Sequence, residues 1–129
     1  MTSEELIQLR NELDTASDTL NRKIGLFEKD LGILKMGVQV WVTISEGTQL
    51  GYIKYQGVWR VCVRFNDNYS PDEPLMVIRP LVNCERGLRY HGYKHIDKLV
   101  PEIEKQGKAL LIKINRVLSG AGDREDSDE

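Results

Sequence analysis

Leu50-Gly51-Tyr52-Ile53-Lys54-Tyr55-Gln56-Gly57-Val58-Trp59-Arg60-Val61-Cys62-Val63-Arg64-Phe65 reads as two strands around a two-residue turn. Both flanks are rich in β-branched and aromatic residues, and Gln56-Gly57 has the length and glycine of a tight hairpin. Such a turn sets the register: Tyr55 lies opposite Val58, Ile53 opposite Arg60 and Gly51 opposite Cys62, all on one face. The other face carries Leu50, Tyr52, Trp59, Val61, Val63 and Phe65. This is the more apolar set and the one expected under helices.

Upstream of the hairpin, Val38, Val40, Val42 and Ile44 alternate with Gln39, Trp41 and Thr43, the period-two pattern of another strand. Ser45 to Gln49 reads as the loop between them. Pairing Ile44 with Leu50 across that loop brings Trp41 opposite Ile53, so that a row Trp41, Ile53, Arg60 crosses the outward face with Tyr55 and Arg64 beside it. Downstream, Asn66 to Glu73 is a polar loop, and Pro74 to Arg79 reads as a fourth strand that Pro80 ends. The order is a meander.

Ahead of the strands, Leu6, Leu9, Leu13, Ala16, Leu20, Ile24, Phe27, Leu31 and Leu34 recur at steps of three and four, the stripe of an amphipathic helix. Thr2 and Glu5 have capping-box spacing, and Gly37 is placed to close the far end. A helix of this length spans roughly 45 Å, more than one face of a small sheet covers. Leu6, Leu9, Leu13, Ala16 and Leu20 follow the alternating step of a coiled-coil seam, suited to the same helix of another subunit or to the C-terminal helix. Intramolecular packing is the plainer alternative.

After Leu81-Val82-Asn83-Cys84, a second helical stripe runs through Leu88, Gly92, Ile96, Leu99, Ile103, Leu110, Ile114 and Val117. Pro101 should kink or restart that helix, and Gly107 should weaken it further. The expected fold is therefore α+β: a long N-terminal helix (1–36), an antiparallel meander of about four strands (37–80), and a C-terminal helix (85–118) kinked or broken near Pro101. These read as one domain over residues 1–118, followed by an acidic, disordered tail at 119–129.

The 129 residues carry a net charge of −2, unevenly spread: residues 86–118 hold eight basic and three acidic groups, and residues 119–129 hold one and five. Arg86, Arg89 and Lys94 stand with Tyr90, Tyr93, His91 and His95 at the start of the C-terminal helix, a mixture suited to phosphates or stacked bases. Helices also commonly carry a solvated basic face. His91 and His95 have metal-ligand spacing, but Gly92 stands where a zinc-protease glutamate would follow and no third ligand is evident. No metal or cofactor is expected.

Cys62 and Cys84 read as small buried hydrophobes rather than a disulfide. The N-terminus has no secretory pattern and no stretch reaches membrane-spanning length, so a cytoplasmic protein without membrane contact is expected. No nucleophile elbow, triad or phosphate loop is recognisable, which leaves catalysis without residues. The chain is accordingly read as a non-catalytic, homo-oligomeric binding or adaptor protein. It would assemble through Leu6, Leu9, Leu13, Ala16 and Leu20 and recognise a protein or small ligand through Trp41, Ile53, Tyr55, Arg60 and Arg64. The alternative is a nucleotide- or nucleic-acid-binding accessory protein using Arg86, Arg89, Tyr90 and Lys94.

Overall fold

The computed structural model describes residues 2–67 and 75–120. A helix α1 (Ser3–Leu34) is followed by strands β1 (Val40–Ser45), β2 (Thr48–Tyr55), β3 (Val58–Asp67) and β4 (Leu75–Pro80), then by helices α2 (Arg86–Lys94) and α3 (Leu99–Leu118). Short 3-10 turns at Leu81–Asn83 and Ile96–Lys98 link the later elements. The four strands form one antiparallel sheet in the order β1-β2-β3-β4. The architecture is the α+β arrangement expected. The expected acidic tail lies, from residue 121 on, outside the described residues, as does most of the loop expected at Asn66 to Glu73; Asn66 and Asp67 extend β3 instead.

Helix α1 starts as its spacing requires. Thr2 Oγ1 accepts the Glu5 backbone N–H at 3.1 Å, and the Thr2 backbone N–H donates to Glu5 Oε1 at 2.7 Å, which satisfies two groups left without partners at a helix start. Its end differs from expectation. Lys35, at φ 49°, takes the left-handed cap and Gly37 follows at φ 68°, so the helix closes two residues before the expected glycine.

The β2–β3 hairpin has the expected register, with Tyr55 opposite Val58, Ile53 opposite Arg60 and Gly51 opposite Cys62. Gln56 and Gly57 both have positive φ, 50° and 86°, the conformation whose twist matches the flanking strands. The β1–β2 hairpin corrects the other register. Its turn is only Glu46-Gly47, Ser45 faces Thr48, and Ile44 is an extra residue between Thr43 and Ser45. Trp41 therefore faces Gly51, not Ile53. With the tight turn alone, Trp41 would have stood opposite Tyr52 on the helix-covered side. The bulge restores the alternation, because one inserted residue moves every side chain beyond it to the other face.

The core lies between one sheet face and the helices. Val40, Ile44, Leu50, Tyr52, Val61 and Val63 pack with Ile24, Leu81, Cys84, Ile96, Leu99 and Ile103, and Leu20, Phe27, Leu31, Trp59 and Phe65 close its margins. Tyr52 and Trp59 stack there with ring centroids 5.3 Å apart. Gly92 lets α2 approach closely, since a Cβ on it would meet Leu81 Cδ1 at 2.5 Å.

The second helical stripe is interrupted at His95, ahead of Pro101, which sits in the first turn of α3 where its missing N–H has no intrahelical partner to lose. Gly107 does not interrupt α3. Both long helices outrun the core: Leu6, Ile7, Leu9 and Leu13 at one end and Leu110, Leu111, Ile114, Val117 and Leu118 at the other are exposed.

Candidate binding face and free helix arms

On the outward sheet face, Trp41, Gly51 and Cys62 stand in one cross-strand row. The indole lies across Gly51, where a Cβ would meet Trp41 Cε3 at 2.4 Å and the Val40 carbonyl oxygen at 2.6 Å. A glycine inside a strand marks this kind of close approach. The neighbouring row is Thr43, Gln49, Arg64 and Ile78. There the Arg64 guanidinium sits 4.2 Å from the centre of the Trp41 ring, and its Nε donates to Gln49 Oε1 at 2.5 Å. Gln49 Nε2 in turn donates to Thr43 Oγ1 at 3.4 Å. The half-buried tryptophan is thus clamped between a glycine beneath and an arginine above, which fixes its orientation.

The remaining predicted face residues divide. Ile53 is buried, at 8% exposure, so it supports the face rather than offering contact. Tyr55 and Arg60 turn toward a different feature. Strand β4 stops at Pro80 opposite Cys62, so β3 has no strand beside residues 58–61 on that side. Glu28 of α1 fills part of the gap: its Oε2 accepts the Val61 backbone N–H at 2.8 Å and lies 3.6 Å from Arg60 Nε. An open cleft of about 670 Å³ adjoins it, lined by Glu28, Tyr55, Trp59, Arg60, Arg79 and Asn83 among others. Trp41 and Arg64 therefore form one cluster and Arg60 and Tyr55 another, at the sheet edge.

Two contributors escaped sequence reading. Gly51 carried a signal, a glycine within a strand. Glu28 carried none, because on α1 it reads as one more solvated helix carboxylate, and only the early end of β4 gives it a role.

The predicted basic surface is largely engaged within the chain. Arg86 bonds to Asp14 of α1, and Arg89 donates through Nε and Nη2 to the Cys84 carbonyl at 3.2 and 2.8 Å. Tyr90 and Lys94 are exposed. His91 and His95 meet edge to face at 5.1 Å; desolvation first, then the nearby Lys98, His91 and Lys94 charges, lower the pKa of His95. Among the described residues no group of three or more His, Cys, Asp or Glu is placed to hold a metal. Both cysteines are free, and burial is the main cause that pushes the Cys62 thiol up to about 12 and the Cys84 thiol upward. A thiol so protonated is a poor nucleophile.

Leu6, Leu9, Leu13 and Ala16, from the predicted assembly stripe, are exposed, whereas Leu20 is half-buried against the core. Beside α3, Met36, Val38, Gly107, Leu110, Leu111 and Ile114 line a mainly apolar cleft of about 410 Å³. Compared with known proteins, the chain matches no family model, no curated protein and no solved structure. No helix of the described residues is long and apolar enough to cross a membrane.

Proposed function

We propose that the chain is a non-catalytic binding protein that works as a homo-oligomer, assembling through the N-terminal half of α1 and recognising a protein or small ligand on the outward sheet face around Trp41 and Arg64. The observation that carries the reading is the unpartnered stripe Leu6, Leu9 and Leu13, exposed by 53, 42 and 46% on a helix whose later turns enter the core. Isolated exposed leucines are ordinary, but a regular row on one helix face is the form of an association surface.

The face around Trp41 supplies the second half of the reading. Tryptophan and arginine are the side chains in which binding energy most often concentrates, and the clamp from Gly51, Arg64 and Gln49 reduces the entropy lost on contact. Nucleic-acid recognition by the basic helix is less well supported, since Arg86 and Arg89 already hold partners in the chain.

Sedimentation equilibrium of the full chain tests the assembly. A concentration-dependent oligomer is expected, lost in a Leu9→Ser, Leu13→Ser double variant that keeps its core, and preserved in Trp41→Ala. A wild-type monomer at all concentrations overturns the reading.

A further inference from the structure

The two exposed apolar helix ends have matching form. On α1, Leu6, Leu9, Leu13 and Ala16 follow steps of three and four and run into the half-buried Leu20; on α3, Gly107, Leu110, Ile114 and Val117 follow steps of three and four and continue from the buried Ile103. Both are seams of period near 3.5, the repeat that lets two helices stay in register along their length. Residues 3–17 and 104–118 also match in extent, each about 22 Å at 1.5 Å per residue.

Their charges are opposite. Residues 3–18 carry Glu4, Glu5, Glu12, Asp14 and Asp18 against Arg10 alone. Residues 104–118 carry Lys105, Lys108, Lys113 and Arg116 against Glu104 alone, which lies 3.5 Å from Lys108, so this arm stays basic. Asp14 is taken by Arg86, which still leaves α1 acidic. The 3.6-residue period puts Glu5 and Glu12, seven apart, along one flank of the α1 stripe and Lys113 along one flank of the α3 stripe, while Lys108 lines the cleft with Leu110, Leu111 and Ile114. Pairing α1 with α1 of a second copy would bring two acidic arms together, with Arg10 as the one cation on each. Pairing it with α3 sets its carboxylates beside lysines, and the cleft at Met36, Val38, Leu110, Leu111 and Ile114 offers apolar depth for the stripe.

We propose that the occupant of the α3 arm is α1 of a second copy of this chain, so that a two-fold dimer contains the α1–α3 joint twice. The inference rests on the oligomeric reading above and names its geometry. Two-fold symmetry satisfies both arms of both copies and leaves neither stripe open to further addition.

Charge reversal tests it on the full chain by sedimentation velocity, with far-UV circular dichroism to verify folding. Lys108→Glu with Lys113→Glu places carboxylates opposite Glu5 and Glu12, and Glu5→Lys with Glu12→Lys places lysines opposite Lys108 and Lys113. Each variant alone is expected to dimerise at least about tenfold more weakly than wild type, because like charges then face each other across both joints. An equimolar mixture of the two is expected to recover a dimer, since positions 5 and 12 of each α1 then meet positions 108 and 113 of opposite charge. Thr2→Ala, which removes the same cap as Glu5→Lys without reversing a charge, is expected to dimerise as wild type does. An oligomer that persists unchanged in both reversed variants, or a mixture that stays monomeric, overturns the α1–α3 joint while leaving oligomerisation standing. A monomeric wild type overturns both.

Discussion

At the scale of the residue, the outward sheet face is governed by side chains that prepare one another. Trp41 has its place because Gly51 has no Cβ and because Gln49 holds Arg64 over the ring. Cys62 shares that row and is wholly buried. Its thiol keeps the proton to about pH 12 in the folded chain, whereas an unfolded cysteine releases it near roughly 8.5. The unfolded chain therefore binds fewer protons across that interval, and the stability present below it falls as pH rises, by at most about 1.4 kcal/mol per pH unit. Urea denaturation at pH 8 and pH 10 should give a lower unfolding free energy at the higher pH, and Cys62→Ala should reduce the difference. An equal difference in variant and wild type would exclude the thiol as a source. The raised pKa of Cys84 acts in the same direction.

At the scale of the element, local chemistry set the starts and turns well and the ends less well. The Thr2–Glu5 box and the Gln56-Gly57 turn were legible because each depends on neighbours in sequence. The β1–β2 connection was not, since a five-residue loop and a two-residue turn with a bulge at Ile44 agree equally with the alternation that precedes them. Packing decides between them: the bulge buries Ile44 and keeps Trp41 off the core. The helix break likewise moved from Pro101 to His95, because proline is tolerated in a first turn. The capping box stabilises an arm that the core does not hold. Thr2→Ala should cost about 1 kcal/mol locally. Hydrogen exchange should therefore quicken in the first turns of α1, while the global unfolding midpoint stays within error of wild type. A full loss in the global midpoint would mean that the arm unfolds with the core.

At the scale of the whole molecule, Glu28 joins α1 to the sheet where β4 has ended. Glu28→Ala leaves the buried Val61 N–H without its acceptor and Arg60 without its carboxylate, and should destabilise by about 1–3 kcal/mol. Glu28→Gln retains a side-chain acceptor and should recover most of that loss in urea titration; equal losses in the two variants would place the effect in the ion pair. What the sequence by itself determined is everything that rests on local periodicity: α1, the four strands, the β2–β3 register, the helix-covered sheet face and the exposed seam on α1. Tertiary structure alone decided that Trp41 lies on Gly51 under Arg64, that Glu28 closes the β3 edge, that Arg86 and Arg89 are spoken for, and that α3 outruns the core as α1 does. Those facts depend on where β4 stops, where one residue bulges and how far the sheet extends. They are distances between segments remote in sequence, on which no pattern within a segment bears.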